Sequence, residues 1–528
     1  MTQSESDSRK EDLSTLARGA GISLGGKGVG RVEQAAVQVA MARLLGPASY
    51  GLFGLGWTVL GIGALVAPLG LDWGVIRFGS GRARQPGELG SILLQALLAT
   101  LGSALAFGLL VYLLAPLAAQ ALFHKPEMLG VLRWIALALV PLVVLRVVAA
   151  ATRISQRMQY SMGAEDLLQP AAQLVLFLAL FAIGWRLAGA MAAVVISFVA
   201  AMLLSLFFLA RLFGNALRAS FGSRSFLPAL LRFSLPTSVA ALFAQLLVWI
   251  DRLFMGFFRP AEEVGVYQAA SQVSFILPVI ILYAFTAILS PMIADLFRQG
   301  ERDRLGELYR VSTKWGLYIS LPVFLLIVLA PGQVMSAVFG PQFAAGQAAL
   351  VLLEVGQLVN VGTGSVAPLL VMTGHQNRWV LLSGSFLGLA VAANWLLVPR
   401  FGMMGAALST SLALSGLGIS GIVLLKRTLG ITPYDRRYLK GIVAAAAGAL
   451  ALFLLKGAAW GPEWLPVLLH GLLVAGTFGG VLLLLGLDAE DRLFLQLLRN
   501  QLRRPRPSLS AQKEVAPDGS SPRGPTSD

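Results

Sequence analysis

The sequence predicts an all-α integral membrane protein of about 14 transmembrane helices, on three observations. Apolar residues fill 56% of its 528 positions and charged residues only 13%, far from the balance of a soluble domain. The apolar residues fall into runs of about 20 or more, the length a helix needs to cross ~30 Å of hydrocarbon. Its 41 Lys and Arg, against 26 Asp and Glu, concentrate in alternate loops between those runs.

Taken in order, the runs lie at roughly 17–42, 52–76, 89–115, 129–151, 163–184, 187–210, 230–256, 265–293, 313–338, 346–372, 379–398, 402–425, 437–456 and 464–487, numbered here spans 1 to 14. The opening MTQSESDSRKEDLST is polar, carries four acids and is unlike a cleavable leader, so it reads as a cytoplasmic tail. Only Gly184-Trp185-Arg186 separates spans 5 and 6. Past Asp488 an amphipathic stretch, EDRLFLQLLRNQL, leads into a tail disordered by composition. The expected organisation is an N-tail (1–15), an N-lobe of spans 1–6 (16–213), a linker (214–229), a C-lobe of spans 7–12 (230–427), spans 13 and 14 (428–487) and a C-tail (488–528).

Loops on the amino-terminal side hold 29 Lys and Arg, those opposite only six, which places both termini in the cytoplasm. The same bias explains most of the formal charge of +15. No continuous basic domain or aromatic-basic patch exists, so nucleic acid is not an expected partner. With no Cys and with His124, His375 and His470 far apart, neither a metal nor a cofactor is expected.

Six basic residues remain inside spans or at their edges: Lys27, Arg31, Arg77, Arg133, Arg146 and Arg252. GISLGGKGVGR, residues 21 to 31, comes within one residue of a phosphate-binding loop, but Gly28 stands where Ser or Thr should, and the strand and metal-binding Asp of such a loop are missing. It reads instead as a glycine-rich helix that a neighbour can approach closely. Lys27, Arg31, Gln34 and Gln38 follow one another at helical spacing along one face. Charges at that depth are costly against lipid, so the stripe should face a water-filled cavity. Span 7 adds Gln245 and Arg252, span 8 Gln272, and span 10 Gln357 and Asn360, neutral groups suited to sugar hydroxyls or to linking helices. Among the acids, Asp251, Glu33 and Glu354 are mid-span candidates for gating or ion coupling. Asp251 reads as a gate that pairs with basic residues of the other lobe. Asp72 with Arg77, and Glu165 or Asp166 with Arg153, read as pairs near the cytoplasmic face.

A weak internal repeat relates the halves: RLLGPASYGLF leaves span 1 and FFRPAEEVGVY leaves span 7. Six spans separate the copies, so both halves enter the membrane in the same direction, the parallel-repeat plan of many secondary transporters. Together with LARGAGISLGGKGVGRV, LGLDWGVIRF, WIDRLFMGFF, VGVYQAA and MTGHQNR, these motifs make the chain resemble the oligosaccharide flippases of bacterial polysaccharide biosynthesis, within the multidrug/oligosaccharidyl-lipid/polysaccharide exporter superfamily. The resemblance covers spans 1 to 12. It implies two parallel six-helix lobes around a central cavity plus two C-terminal helices, in a multi-pass protein of the bacterial inner membrane. It also implies alternating access and a polyprenyl-pyrophosphate-linked oligosaccharide as cargo, moved to the periplasmic leaflet. Membrane lipids, glycosyltransferases and a polysaccharide polymerase are the partners it implies. Lys27, Arg31 and Arg252 match the family's basic cavity residues by position, and Arg146 by depth alone; Lys27 and Arg252 are then expected to face each other as two jaws on one pyrophosphate. A multidrug antiporter of the same superfamily should have an acidic cavity, whereas these embedded charges lean basic. A membrane glycosyltransferase or ligase should carry a large outer loop, which this chain lacks.

Overall fold

The computed structural model describes residues 3–82, 85–155, 157–219, 225–276, 289–290, 292–455, 464–486, 488 and 491–492, with side chains from Gly28 onward except at Ala240 and Leu455. Every regular element among them is helical. Helices often outrun the apolar stretches that signal them: span 9 begins at Arg302, within a charged segment, and runs to Leu329. Span 6 covers Arg186–Arg218 and span 7 Leu227–Phe258. The tight turn at Gly184 does separate two antiparallel helices, with Gly184 at φ 93°. Spans 3, 4, 11, 12, 13 and 14 are the helices Pro86–Leu117, Met128–Thr152, Gln376–Phe401, Met403–Leu429, Tyr438–Leu455 and Trp464–Leu484.

Spans 1 and 2 depart from expectation. The loop foreseen between them shrinks to one residue, Gly46 (φ 76°, ψ 170°), inside an otherwise continuous Gln3–Val66. Glycine accepts that φ without strain, and Pro47 then opens the second helix where its missing N–H costs nothing. Span 2 is itself broken, stopping at Val66 and resuming as Leu71–Ser80. Leu69 and Gly70 carry the break at φ 53° and 71°. Span 5 is irregular too, with a π-helical turn, Gly163–Leu168, between Met158–Met162 and Gln169–Ala182. Span 10 is broken at Gly364 (φ 67°), between Gln347–Thr363 and Val366–Met372.

Spans 1–6 and spans 7–12 form two lobes, with spans 13 and 14 packed on span 9. Span 4, largely apolar and charged only at Arg133 and Arg146, is buried over most of its length. Span 3 turns Leu98, Leu105, Leu109 and Leu113 outward to lipid. The lobes meet along span 2, which lies against span 7 and the helix Ala261–Ser274 that opens span 8. A Cβ added at Gly51 would sit 2.0 Å from the Ala261 carbonyl oxygen, and one at Gly265 would sit 1.9 Å from that of Pro47. Each glycine therefore meets the carbonyl four residues before the other. That reciprocity is the mark of a two-fold relation, and it relates the two copies of the Pro-to-Gly repeat. The pseudo-axis runs along the membrane normal, as in parallel-repeat transporters. Seven positions along from Gly54, whose space is taken by Gln268, Gly61 accepts the six-membered ring of Trp249 at 2.2 Å from its absent Cβ.

The face away from the basic loops is latched across the lobes. Arg43 donates from Nε to the Val338 carbonyl at 2.8 Å and from Nη2 to that of Ala337, satisfying the free carbonyls at the end of the helix Pro331–Phe339. Lys125 donates to Gly256 at 2.6 Å and Phe123 at 3.0 Å. Burial pushes its ammonium below the usual lysine range, and nearby Glu127 partly opposes this. On the basic face, Gln95 of span 3 accepts the N–H groups of Phe226 and Leu227 at 2.8 and 2.9 Å, holding the start of span 7.

A second charged knot fixes the C-terminal helices. Lys314, buried on span 9, pairs with Asp488 at 3.1 Å and Asp491 at 2.8 Å, and Lys440 of span 13 reaches Asp488 at 2.7 Å. Trp315 donates its indole N–H to Asp491 at 2.9 Å. The stretch just past span 14 is thus part of the C-lobe's packing; residues 493–528, which carry most of the expected amphipathic helix, lie outside the described residues.

Two expectations follow. Leucine in place of Gly51 or Gly265 should prevent the backbones from crossing, so that cysteines placed at Ser49 and Gln342 become more accessible to an impermeant thiol reagent than in the unsubstituted background. At Asp488, burial alone would raise the carboxyl, but hydrogen bonds and charge from Lys440 and Lys314 outweigh it and hold the group below its ordinary 3.8. A depressed acid stabilises above its unfolded value and loses that contribution as pH falls through the folded one. Hydrogen-exchange protection around Asp488, corrected for the intrinsic exchange rate, should therefore be flat from neutrality to about pH 4 and fall only in more acid solution, whereas Asp488→Asn should be less protected near neutrality and lose that difference in acid, where Asp488 itself is protonated.

Candidate functional site

The break in span 2 frees backbone carbonyls inside the membrane, where each needs a donor. Three side chains supply them. Arg146 of span 4 donates to Ala64 at 2.9 Å, Ser238 of span 7 to Leu65 at 2.9 Å, and Ser103 of span 3 to Ala67 at 2.7 Å. Asp72 sits in the first turn of the resumed helix, where the helix dipole favours an anion. Its carboxylate lies 3.5 Å from Arg146. Asp72 therefore pairs with Arg146 and not, as its sequence spacing suggested, with Arg77. The helix turns Arg77 toward the other lobe, where its guanidinium stacks 4.4 Å from the Phe233 ring centre.

Beside this break lies a cavity of about 490 Å³ between spans 1, 2, 4, 5, 6 and 7. Arg31, Gln34, Arg146 and Gln245 line it, as do Trp57 and Trp249. The π-helical turn of span 5 brings Glu165 and Asp166 to the same wall. A Cβ at Gly30 would stand 2.2 Å from the Asp166 carbonyl oxygen, so span 1 lies directly on that turn with Arg31 beside it. Arg153 pairs with Glu165 at 2.5 Å. Gln169, one residue past the π turn, bonds Gln173 at 2.9 Å and Ser197 at 3.2 Å.

The remaining candidates divide. The side chain of Lys27 lies outside the described residues, although its backbone continues the span 1 helix one turn before Arg31. Gln38 leaves the cavity for the lobe interface, where it accepts the Tyr50 hydroxyl at 2.9 Å. Glu33 does not line the cavity, and its Oε2 is buried without a partner among the described residues. Arg252 is buried and bonds Ser271 of its own lobe at 2.8 Å. It does not line this cavity, because span 7 places it two turns beyond Gln245, toward the latched face. Among the described residues Asp251 makes no ion pair across the lobes. It accepts the hydroxyls of Tyr267 and Thr410, the latter at 2.9 Å, and the N–H of Arg252 at 2.7 Å, all within the C-lobe. Gln357 accepts from Asn360 at 3.2 Å, away from the cavity, and half-buried Gln272 does not line it.

Trp57, Trp249 and Gln169 were not foreseen. A mid-span Trp reads as core filling, and only the facing glycine at Gly61 betrays that Trp249 crosses to the other lobe. Glu165 pairs with Arg153, as the sequence suggests, and the π turn also carries Glu165 and Asp166 to the cavity wall.

Residues 16–297 match the family model described as polysaccharide biosynthesis protein, and residues 236–396 match the MatE model. The probable flippase AglR of Haloferax volcanii is 28% identical over 261 residues, which span 48% of this chain and 53% of that relative. This stretch is about half of the relative's length. Among solved structures, the lipid II flippase MurJ in an inward closed conformation superposes with a TM-score of 0.67 at 12% identity, covering 86% of this chain and 97% of that one. An inward-facing multidrug resistance MATE family transporter superposes at 0.61 with 20% identity, covering 75% and 94%.

Proposed function

The chain belongs to the polysaccharide biosynthesis protein family of the multidrug/oligosaccharidyl-lipid/polysaccharide exporter superfamily, and from that premise we propose that it is an alternating-access flippase for a lipid-linked oligosaccharide. The cargo is a polyprenyl pyrophosphate bearing sugars, taken up from the basic, cytoplasmic face and released at the latched one in a bacterial inner membrane. One observation carries this reading: two guanidinium groups, Arg31 and Arg146, line the same cavity as two tryptophans and a set of side-chain amides. Arginine forks match phosphate oxygens in charge and geometry. Indole faces offer sugar rings an apolar platform, and amides of Gln34 and Gln245 suit hydroxyls.

Without cargo, the acids of the cavity wall keep these cations compensated, which a low-dielectric site requires. A pyrophosphate replaces Asp72 at Arg146 and draws Arg31 toward itself. Lys27, one turn along the same helix, extends the cationic path toward the cytoplasmic entrance. Arg252 takes no part in the first grip and stands further along the route, near the closed latch. The Gly51–Gly265 crossing and the latch beside it then part, the cavity opens to the other side, and the lipid tail stays in hydrocarbon throughout.

The test is flipping of a short polyprenyl-pyrophosphate oligosaccharide, fluorescently labelled, in liposomes bearing the purified chain, read by leaflet-selective quenching. Arg31→Ala and Arg146→Ala should each slow flipping by about tenfold or more, corresponding to ~1.4 kcal/mol or above. Arg133→Gln, on the outer surface of the N-lobe, should leave it within about twofold of the unmutated rate. Unchanged flipping by both alanine variants at normal protein level would remove the pyrophosphate from this cavity.

A further inference from the structure

The C-lobe contains a buried acid that this scheme does not use. Glu354 lies seven residues into the helix Gln347–Thr363, about 10 Å along its axis. It is 0% exposed, and neither of its carboxyl oxygens meets a hydrogen-bond partner among the described residues. One turn on, Nε2 of Gln357 is also buried and unpartnered, while its oxygen is occupied by Asn360.

No charge compensates Glu354 among the described residues. Residues 331–346, packed on its helix, contain no titratable group, and span 9 has none beyond Tyr318, in its basic-face half. Span 12 carries only Lys426 and Arg427, fifteen or more residues past Ser411, the residue that touches Gly356. On the helix Ala261–Ser274, Tyr267 is bound to Asp251 and Glu263 to Arg259, and Glu262 stands in the first turn near the latched face. An ionised carboxylate so placed costs several kcal/mol, whereas the neutral acid is tolerated far better. A metal cation would need several oxygen ligands, but the unpaired group nearby is an amide N–H.

We propose that Glu354 is a proton-binding site that couples protonation to closure of the latched face. In the closed conformation it carries a proton as a neutral acid. When the lobes rearrange and water reaches the carboxyl, the proton passes to water and the carboxylate is hydrated. Closure and uptake of one proton are then a single equilibrium, so low pH favours the closed state and rising pH the open one. One proton shifts the open-to-closed ratio by at most about tenfold per pH unit.

The chain has no cysteine, so spin labels can be placed cleanly at Ser49→Cys and Gln342→Cys on the latched face. Distances between them, measured by pulsed electron resonance on the full chain in nanodiscs, should lengthen as pH rises. Glu354→Gln should hold the short distance at every pH, and Glu354→Asp should restore the response. Infrared difference spectra of the unmutated protein should show loss of a protonated-carboxyl band as pH rises, absent from Glu354→Gln. A full pH response in Glu354→Gln overturns the proposal, as does an unmutated protein with no such band, which decides the matter even where the variant fails to fold. These readouts involve no cargo, so they stand or fall separately from the flippase reading.

Discussion

The backbone crossing of Gly51 and Gly265 is the constraint on which the lobe arrangement depends. At 1.9–2.0 Å from a hypothetical Cβ to a carbonyl oxygen, no side chain larger than hydrogen fits on either helix. Such contact replaces the hydrophobic drive that helices lack in lipid, since close packing of small residues is what associates them there. Its reciprocity also gives the weak Pro-to-Gly repeat a physical role: the two copies exist because each is the other's partner. Arg43 and Lys125, two of the few basic residues on that face, then lock what the glycines bring together.

Where the glycines close one end, irregular backbone builds the site at the middle. A regular helix hides its polar groups and offers a membrane cavity nothing but side chains. Unwinding span 2 at Leu69 and Gly70 exposes carbonyls that must be met, and Arg146 is the residue that meets one of them. Its guanidinium is therefore positioned by the break, with donors left for a ligand. The π turn of span 5 does the complementary task, bulging Glu165 and Asp166 toward the same space. A left-handed Leu69 costs on the order of 1–3 kcal/mol, a strain consistent with a functional position.

These two devices mark the boundary of what the sequence makes legible. Span number, the tight turn at Gly184 and the parallel halves can be read because hydropathy and charge bias are summed over many residues. The Arg31–Gln34 face can be read because a regular helix converts spacing into direction. Pairings between helices cannot be read: Asp72 and Arg77 lie five apart on the helix Leu71–Ser80, a spacing that puts them on different faces, and Asp72 meets Arg146 of span 4 instead. Nor does depth alone tell a wet cation from a sealed one. Arg31 and Arg252 look alike as embedded arginines, yet one lines a cavity and the other is bonded to Ser271 behind Tyr267. Neighbours from distant helices decide that, and no local pattern encodes them.

The two lobes, similar in path, thus handle charge in opposite ways. In the N-lobe, Arg31, Arg146, Glu165 and Asp166 line an open cavity with Asp72 beside Arg146, where partners can be exchanged at modest cost because water or a ligand can replace each lost contact. In the C-lobe, Asp251 and Arg252 are sealed and bonded to hydroxyls, with Nε of Arg252 and both oxygens of Glu354 left without a partner among the described residues. Exchange there requires the lobe to change shape, since a buried charge cannot be uncovered by small side-chain motion alone. A wet site suits recognition of an anionic cargo, and a sealed one suits the control of conformation. The crossing at Gly51 and Gly265, with span 7 packed on span 2 beside it, is where a change in one lobe meets the other.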